Sequence, residues 1–183
     1  MINYNDKKFV KFITLGPAGT NHEFVTKKYI KRQNIKNSSI LLIDNFFIGL
    51  ELINAHEADY MIQVAVHPDL TKIVSKAHFE YDIHALDTFI SASKPLALVS
   101  RKELKNVSSI GFQKATEHYL NLNKWEKQVP LGTIVDVEKG FFNECYDSAI
   151  IFLETANKHL NYLNIDKKLG TVNDPWIVFG KNN

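Results

Sequence analysis

An α/β fold is predicted by three features of the chain. Short apolar runs rich in Val, Ile and Phe alternate with segments whose apolar residues recur at helical spacing. At 183 residues and 45% hydrophobic content, the chain can bury a real core as one domain or two small lobes. No repeat, low-complexity segment or Pro/Gly/Ser linker separates its parts, so a division into lobes has to be made by chain crossings, expected near 73–82 and 164–169.

In chain order, the apolar runs at 9–15, 39–43, 59–66, 84–89, 96–100, 109–112, 149–153 and 176–179 read as strands. The spacing predicts helices at 20–33, 46–56, 114–125, 135–144 and 155–163. The first junction, GPAGTNHE at 16–23, carries the most local detail. Thr20 followed by Glu23 is the pattern of a capping box, in which the threonine oxygen takes a backbone N–H and the glutamate reaches back. Gly16 and Gly19 allow a tight strand-to-helix turn, and Lys27, Lys28, Lys31 and Arg32 follow where the helix dipole favours cations. The N–H groups left at such a helix start suit a carboxylate or phosphate. The stretch is neither G-x-G-x-x-G nor a P-loop, because no Lys-Ser/Thr pair follows Gly19.

Composition narrows the classes of function. Lys plus Arg number 22 against 20 Asp plus Glu, and a net charge of +2 provides no long-range field for nucleic acid or an anionic membrane. The expected partner is a small molecule, with room left for a homodimer. The single cysteine, Cys145, excludes an internal disulfide framework and fits a reducing compartment. No apolar stretch approaches the roughly 20 residues that span a bilayer, and the polar start MINYNDKK has no apolar h-region. A cytoplasmic protein is expected. His56, His78, His84, His118 and His159 show no spacing with carboxylates or Cys145 that suggests zinc, so neither a metal nor another cofactor is expected. Asp82, Asp87, Asp136 and Asp147 read as turn or cap residues, and Phe46, Phe47, Phe141 and Phe142 as helix starts and core packing.

The order of motifs resembles one family. ITLGPAGT is similar to the "LGPxGTfs" opening of prephenate dehydratases, and DNFFIGLELINAHEADYMIQVA (44–65) to their "fxxvfxavexgeaDygvvPienS" stretch. SSIGFQKATEHYL resembles "V-x-SHpqAlaQc", YDSAIIFLETANKHLNYLNI resembles "gaiAsxxAaexygLxil", and NDPWIVFGK resembles the final "NxTRFxvl" strand. Together these segments run from Ile13 to Lys181. The resemblance implies a type II periplasmic-binding-protein-like fold, two-lobed with a cleft between lobes. It places lobe 1 at about 8–75 plus 168–183 and lobe 2 at about 80–165, with no regulatory ACT domain.

The departures shift the implied chemistry. Where dehydratases carry Thr-Arg-Phe, this chain has Pro175, Trp176 and Ile177. In the family the threonine is the proposed acid for the departing ring hydroxyl and the arginine binds a substrate carboxylate; neither role survives in a proline and an indole. "PIENS" is rewritten as Val64, Ala65, Val66, His67, Pro68, and "SHpqA" as Gly111, Phe112, Gln113, Lys114, Ala115. The chain is in this respect similar to the prephenate decarboxylases of bacilysin biosynthesis, the BacA type, which lack Thr-Arg-Phe and end in a W-x-x-F-G-K strand, here Trp176 to Lys181. The implied activity is that of a carbon–carbon lyase in antibiotic or non-proteinogenic amino-acid biosynthesis. It would decarboxylate prephenate to a dihydro-4-hydroxyphenylpyruvate, with the indole suppressing loss of the ring hydroxyl.

On this reading His67 is the candidate proton donor, with a pKa range suited to the work, and His22 a second catalytic imidazole. Gly19, Thr20 and Asn21 at the helix start are candidates for one substrate carboxylate, Phe112, Gln113 and Lys114 for a second anchor, and Trp176 for the ring. Asp174, beside Trp176, would repel a carboxylate there. Two alternatives stand beside the decarboxylase: a non-catalytic module binding a keto acid or amino acid, and a dehydratase with a displaced acid.

Overall fold

The computed structural model describes residues 8–182. In chain order it runs β1 (Val10–Leu15), α1 (Asn21–Arg32), β2 (Ser38–Ile43), α2 (Phe46–Asn54), β3 (Tyr60–Val64), α3 (Leu70–Glu80), β4 (His84–Ala92) and β5 (Leu96–Arg101). It continues through β6 (Ser109–Gln113), β7 (Lys127–Leu131), α4 (Ile134–Phe142), β8 (Ser148–Phe152), α5 (Leu153–Lys158), β9 (Leu163–Gly170) and β10 (Asn173–Gly180). Two compact units result: one holds the chain up to Ser93 together with the segment from Asn173 onward, the other holds Lys94–Val172. The crossings therefore fall at Ser93/Lys94 and Val172/Asn173, not near 73–82 and 164–169. The first of those expected positions lies mostly in α3 and the second inside β9.

The sheet of the first unit has the order β2-β1-β3-β10-β4. β1 is parallel to β2 and β3, whereas β10 is antiparallel to both its neighbours. The central strands are apolar on both faces because both faces are covered. Val10, Phe12, Tyr60 and Ile62 pack with Val25 and Tyr29 of α1. Ile13 and Met61 pack on the other side with Phe46, Leu50 and Ile53 of α2 and with Ile73 and Ala77 of α3. Asn45 starts α2 by accepting the Ile48 N–H at 3.1 Å. The chain leaves β1 and β3 toward opposite faces, and a crevice opens at the C-terminal ends of such a pair of strands, where α/β sheets hold ligands.

The second unit repeats the scheme with the order β7-β6-β8-β5-β9. β6 is parallel to β7 and β8, and β5 is antiparallel to β8 and β9. The helix expected at 114–125 is replaced by 3₁₀ turns at Lys114–Tyr119 and Leu122–Lys124. Thr116 Oγ1 donates to Gln113 O at 2.8 Å and the Asn121 side chain accepts the Asn123 N–H, so local side-chain bonds compete with a continued helix. Gly111 answers to packing: a Cβ there would lie 2.2 Å from the Tyr146 ring. Tyr146 is fixed by donating its hydroxyl hydrogen to Val137 O at 2.5 Å.

Candidate functional site

The loop after β1 folds differently from the capping box read in the sequence. Gly19 has φ +91°, a left-handed conformation suited to glycine, while Gly16 has ordinary room, its nearest neighbour being Leu42 Cβ at 3.5 Å. Thr20 is the N-cap of α1 in backbone conformation, but its side chain makes no cap bond. Its hydroxyl instead donates back to Leu15 O at 3.3 Å. Glu23 does reach back, but to the Gly19 N–H at 2.6 Å, and it also pairs with Lys27. One turn donor expected to face a ligand is thus already held by a carboxylate of the chain. Asn21 opens α1 beside it, half-buried.

One residue further on, His22 points its ring into an aromatic cluster. Its centroid lies 5.6 Å from Phe46 and 5.2 Å from Trp176, edge-on to the indole. Its Nε2 is buried without a hydrogen-bond partner among the described residues. Burial, reinforced by the nearby His67, pushes its pKa down to about 4, so the ring is neutral at pH 7. Phe46, at the start of α2, has the second imidazole on it: His67 lies 5.1 Å away, perpendicular to the phenyl ring.

His67 sits in the turn that carries β3 into α3. Its backbone donates to Val64 O at 3.3 Å and accepts from Leu70 N at 3.0 Å. Its Nδ1 accepts the Asp69 N–H at 3.2 Å. An acceptor at Nδ1 places the ring proton of the neutral form on Nε2. Burial lowers the His67 pKa, against an opposite pull from Asp69. The ends of β1 and β3 therefore bring His22 and His67 onto one phenyl ring, from positions 45 residues apart (67 − 22).

Trp176 is 1% exposed and belongs to the cluster under α1, with Phe12, Tyr29, Tyr60 and Phe89. In β10 it lies opposite Val64 on one side and Phe89 on the other. It is a core side chain with an edge on His22, and its Nε1–H has no partner among the described residues. Gln63, fully buried in β3, likewise leaves both amide atoms unpartnered. The sequence reading missed Phe46 as a site residue and passed over Gln63. The second had a signal, since it is the one polar residue in the strand YMIQV. Asp174 is engaged by Ser93, whose hydroxyl donates to it at 2.7 Å.

Phe112, Gln113 and Lys114 lie in the second unit, at the C-terminal end of β6. Phe112 is buried in its core, the Gln113 amide donates to Gly132 O at 3.1 Å, and exposed Lys114 pairs with Glu117 at 2.5 Å. At the end of β8 a polar group unseen in the sequence appears. Lys94 rests 4.1 Å over the Phe152 ring and pairs with Glu154 at 2.5 Å, and Glu138 accepts the Phe152 N–H at 3.1 Å. Burial raises the Glu138 pKa. The histidines set aside in the sequence include one linked pair: His78 and His84 approach at 3.1 Å through their Nδ1 atoms, and His84 Nε2 lies 2.8 Å from Asp82. Among the described residues no group of three or more His, Cys, Asp or Glu is arranged to hold a metal ion. No described helix is long and apolar enough to cross a membrane.

No protein-family model matches the chain, and no curated protein matches its sequence. Solved structures do match. The prephenate dehydratase from Arthrobacter aurescens, solved in complex with L-Phe, aligns with TM-score 0.68 at 17% identity, over 95% of this chain and 60% of that one. The prephenate dehydratase from Staphylococcus aureus aligns with TM-score 0.65 at 10% identity, over 95% of this chain and 67% of that one. The periplasmic VFT2 domain of BvgS from Bordetella pertussis aligns with TM-score 0.54 at 11% identity, over 96% and 82%. The chain thus spans 60% of the length of the Arthrobacter enzyme. Identities this low establish the fold: two α/β units of the kind shared by prephenate dehydratases and periplasmic ligand-binding domains.

Proposed function

We propose that the chain is a lyase that removes the ring carboxylate of prephenate, or of a closely related cyclic keto acid, without making the ring aromatic. The observation that carries this reading is the pairing of His22 and His67 on Phe46, with His22 also against Trp176, the residue that the sequence resemblance aligns with the dehydratase arginine. In the reaction the bond from the ring carbon to the carboxylate breaks, CO₂ leaves, and the electron pair enters the ring. A ring carbon then takes a proton and the hydroxyl stays. Both imidazoles are neutral at pH 7 without substrate, since their pKa values are lowered. Prephenate carries two carboxylates, and negative charge within about 4–6 Å raises an imidazole's affinity for a proton. Substrate binding therefore arms the donor. His67 is the proposed donor, because its half-buried ring can take up a proton at the expense of the Asp69 bond. Apolar Phe46 and Trp176 offer no acid to the ring hydroxyl. Gly19, Thr20 and Asn21 remain the proposed contacts for one carboxylate, which would displace Glu23 from the Gly19 N–H.

A second reading, a non-catalytic module binding a keto acid or amino acid, is favoured by the fold likeness to the periplasmic VFT2 domain of BvgS. Incubation with prephenate followed by proton NMR separates the two. A non-aromatic keto acid is the expected product. Phenylpyruvate would show a dehydratase, and unchanged prephenate with saturable binding would leave the module.

A further inference from the structure

The outer edge of the first sheet has its own chemistry. β4 is the last strand there, paired on one side by β10. Ile90 lies opposite Pro175. Pro175 has no N–H, and its carbonyl accepts the Ala65 N–H at 2.8 Å, on the side away from β4. In an antiparallel ladder the N–H and C=O of one residue point the same way, and a residue opposite a non-bonded partner turns its own groups outward. Thr88, Ile90 and Ala92 therefore face the open edge. Two contacts agree: Ala92 O accepts from Lys28 Nζ at 3.3 Å, and the Thr88 N–H donates to the Asp87 carboxylate at 2.8 Å. Between them the Ile90 N–H and C=O point to the same open side by that geometry, and the side chain is 63% exposed.

A groove of about 520 Å³ opens along this edge under α1, lined by Lys28, Lys31, Arg32, Phe89, Ile90 and Ala92. Arg32 lies 4.8 Å over the Phe89 ring. Lys28, Lys31 and Arg32 form no ion pair among the described residues. The nearby carboxylate, Asp87, is held by the Tyr29 hydroxyl at 2.7 Å. None of His22, His67 and Trp176 lines the groove.

We propose that this edge takes an extended acidic segment of a partner protein as an added strand. Such a strand would lie about 4.8 Å from β4, bond to Ile90, and direct every second side chain toward α1. Glu or Asp at those positions would meet Lys28, Lys31 and Arg32. A second copy is the poorer occupant, because it would set the same three cations against these.

The test uses a fluorescein-labelled peptide of alternating Glu and Val, read by anisotropy against the full chain. Two analogues are included, one N-methylated at every Glu and one at every Val. The expected result is saturable binding lost in one analogue and kept in the other, because one edge of the peptide pairs. Lys28→Glu with Lys31→Glu, with an unchanged circular-dichroism spectrum, should weaken binding at least about tenfold, or 1.4 kcal/mol. Absence of binding, equal binding of both analogues, or a self-dimer dissociated by the same two substitutions would overturn the proposal.

Discussion

His22 shows how much a single residue can do to the pH response of the protein. Its pKa is lowered from 6.5 to about 4 in the folded chain, so below pH 6.5 the unfolded state binds a proton that the native ring refuses. Its contribution to stability is constant above pH 6.5 and falls as the pH drops toward 4. The loss at pH 5 should be about 2 kcal/mol. In urea melts at pH 7.5 and 5.0, His22→Asn should lose less stability on acidification than wild type by about that amount. An unchanged difference would mean that the ring is protonated in the native state. Trp176, fully buried in a cluster of aromatic rings, should cost about 3–5 kcal/mol as Trp176→Ala. Trp176→Phe keeps the packing better and is the variant to assay with prephenate. More aromatic product from a folded Trp176→Phe would support the indole's proposed role in sparing the ring hydroxyl, and an unchanged product ratio would reduce it to packing. Both imidazoles stood out in the sequence as residues. Their meeting on Phe46 did not, because residue spacing carries no information on which strand ends become neighbours.

At the scale of elements, two helix starts that look alike in sequence are built differently. Asn45 caps α2 through its side chain, whereas Thr20 gives α1 no such bond and spends its hydroxyl on Leu15 O. Asn45→Ala should therefore cost about 1 kcal/mol, and Thr20→Ala less, as measured by chemical denaturation. A larger loss at Thr20 would contradict the geometry of its cap. The strands and helices with full apolar stripes were legible: β1, β3, β8, α1, α2 and α4 lie within a few residues of their expected places. The elements that were missed are thinly buried. α3 fully buries two side chains, Ile73 and Ala77, and leaves Val74 and Phe79 exposed, so its period hardly shows. β7 fully buries no residue and contains Pro130, and β9 fully buries only Leu163, as edge strands can.

For the whole molecule, the two crossings make Lys94–Val172 an insertion of 79 residues (172 − 94 + 1) into the first unit. Its ends lie side by side, because Leu96 near the start pairs with Gly170 near the end. A fragment of 94–172 should fold by itself, giving native-like circular dichroism and a cooperative melt. Removing the chain from Asn173 onward should unfold the first unit and spare the second, since β10 lies inside the sheet between β3 and β4. An unstructured 94–172 fragment would show that the second unit depends on the first. The position of β10 also sets an order of events during synthesis. Domains tend to fold as units while the chain emerges from the ribosome, yet β10 is translated only after the whole insertion. Until then β3 and β4 have nothing between them, His22 has no indole to rest against, and nascent chains carry an open seam in the first sheet. The histidine pair can thus acquire its complete surroundings only after the second unit has been made, which makes the newly synthesised first unit a natural client for a chaperone that shields unpaired strands.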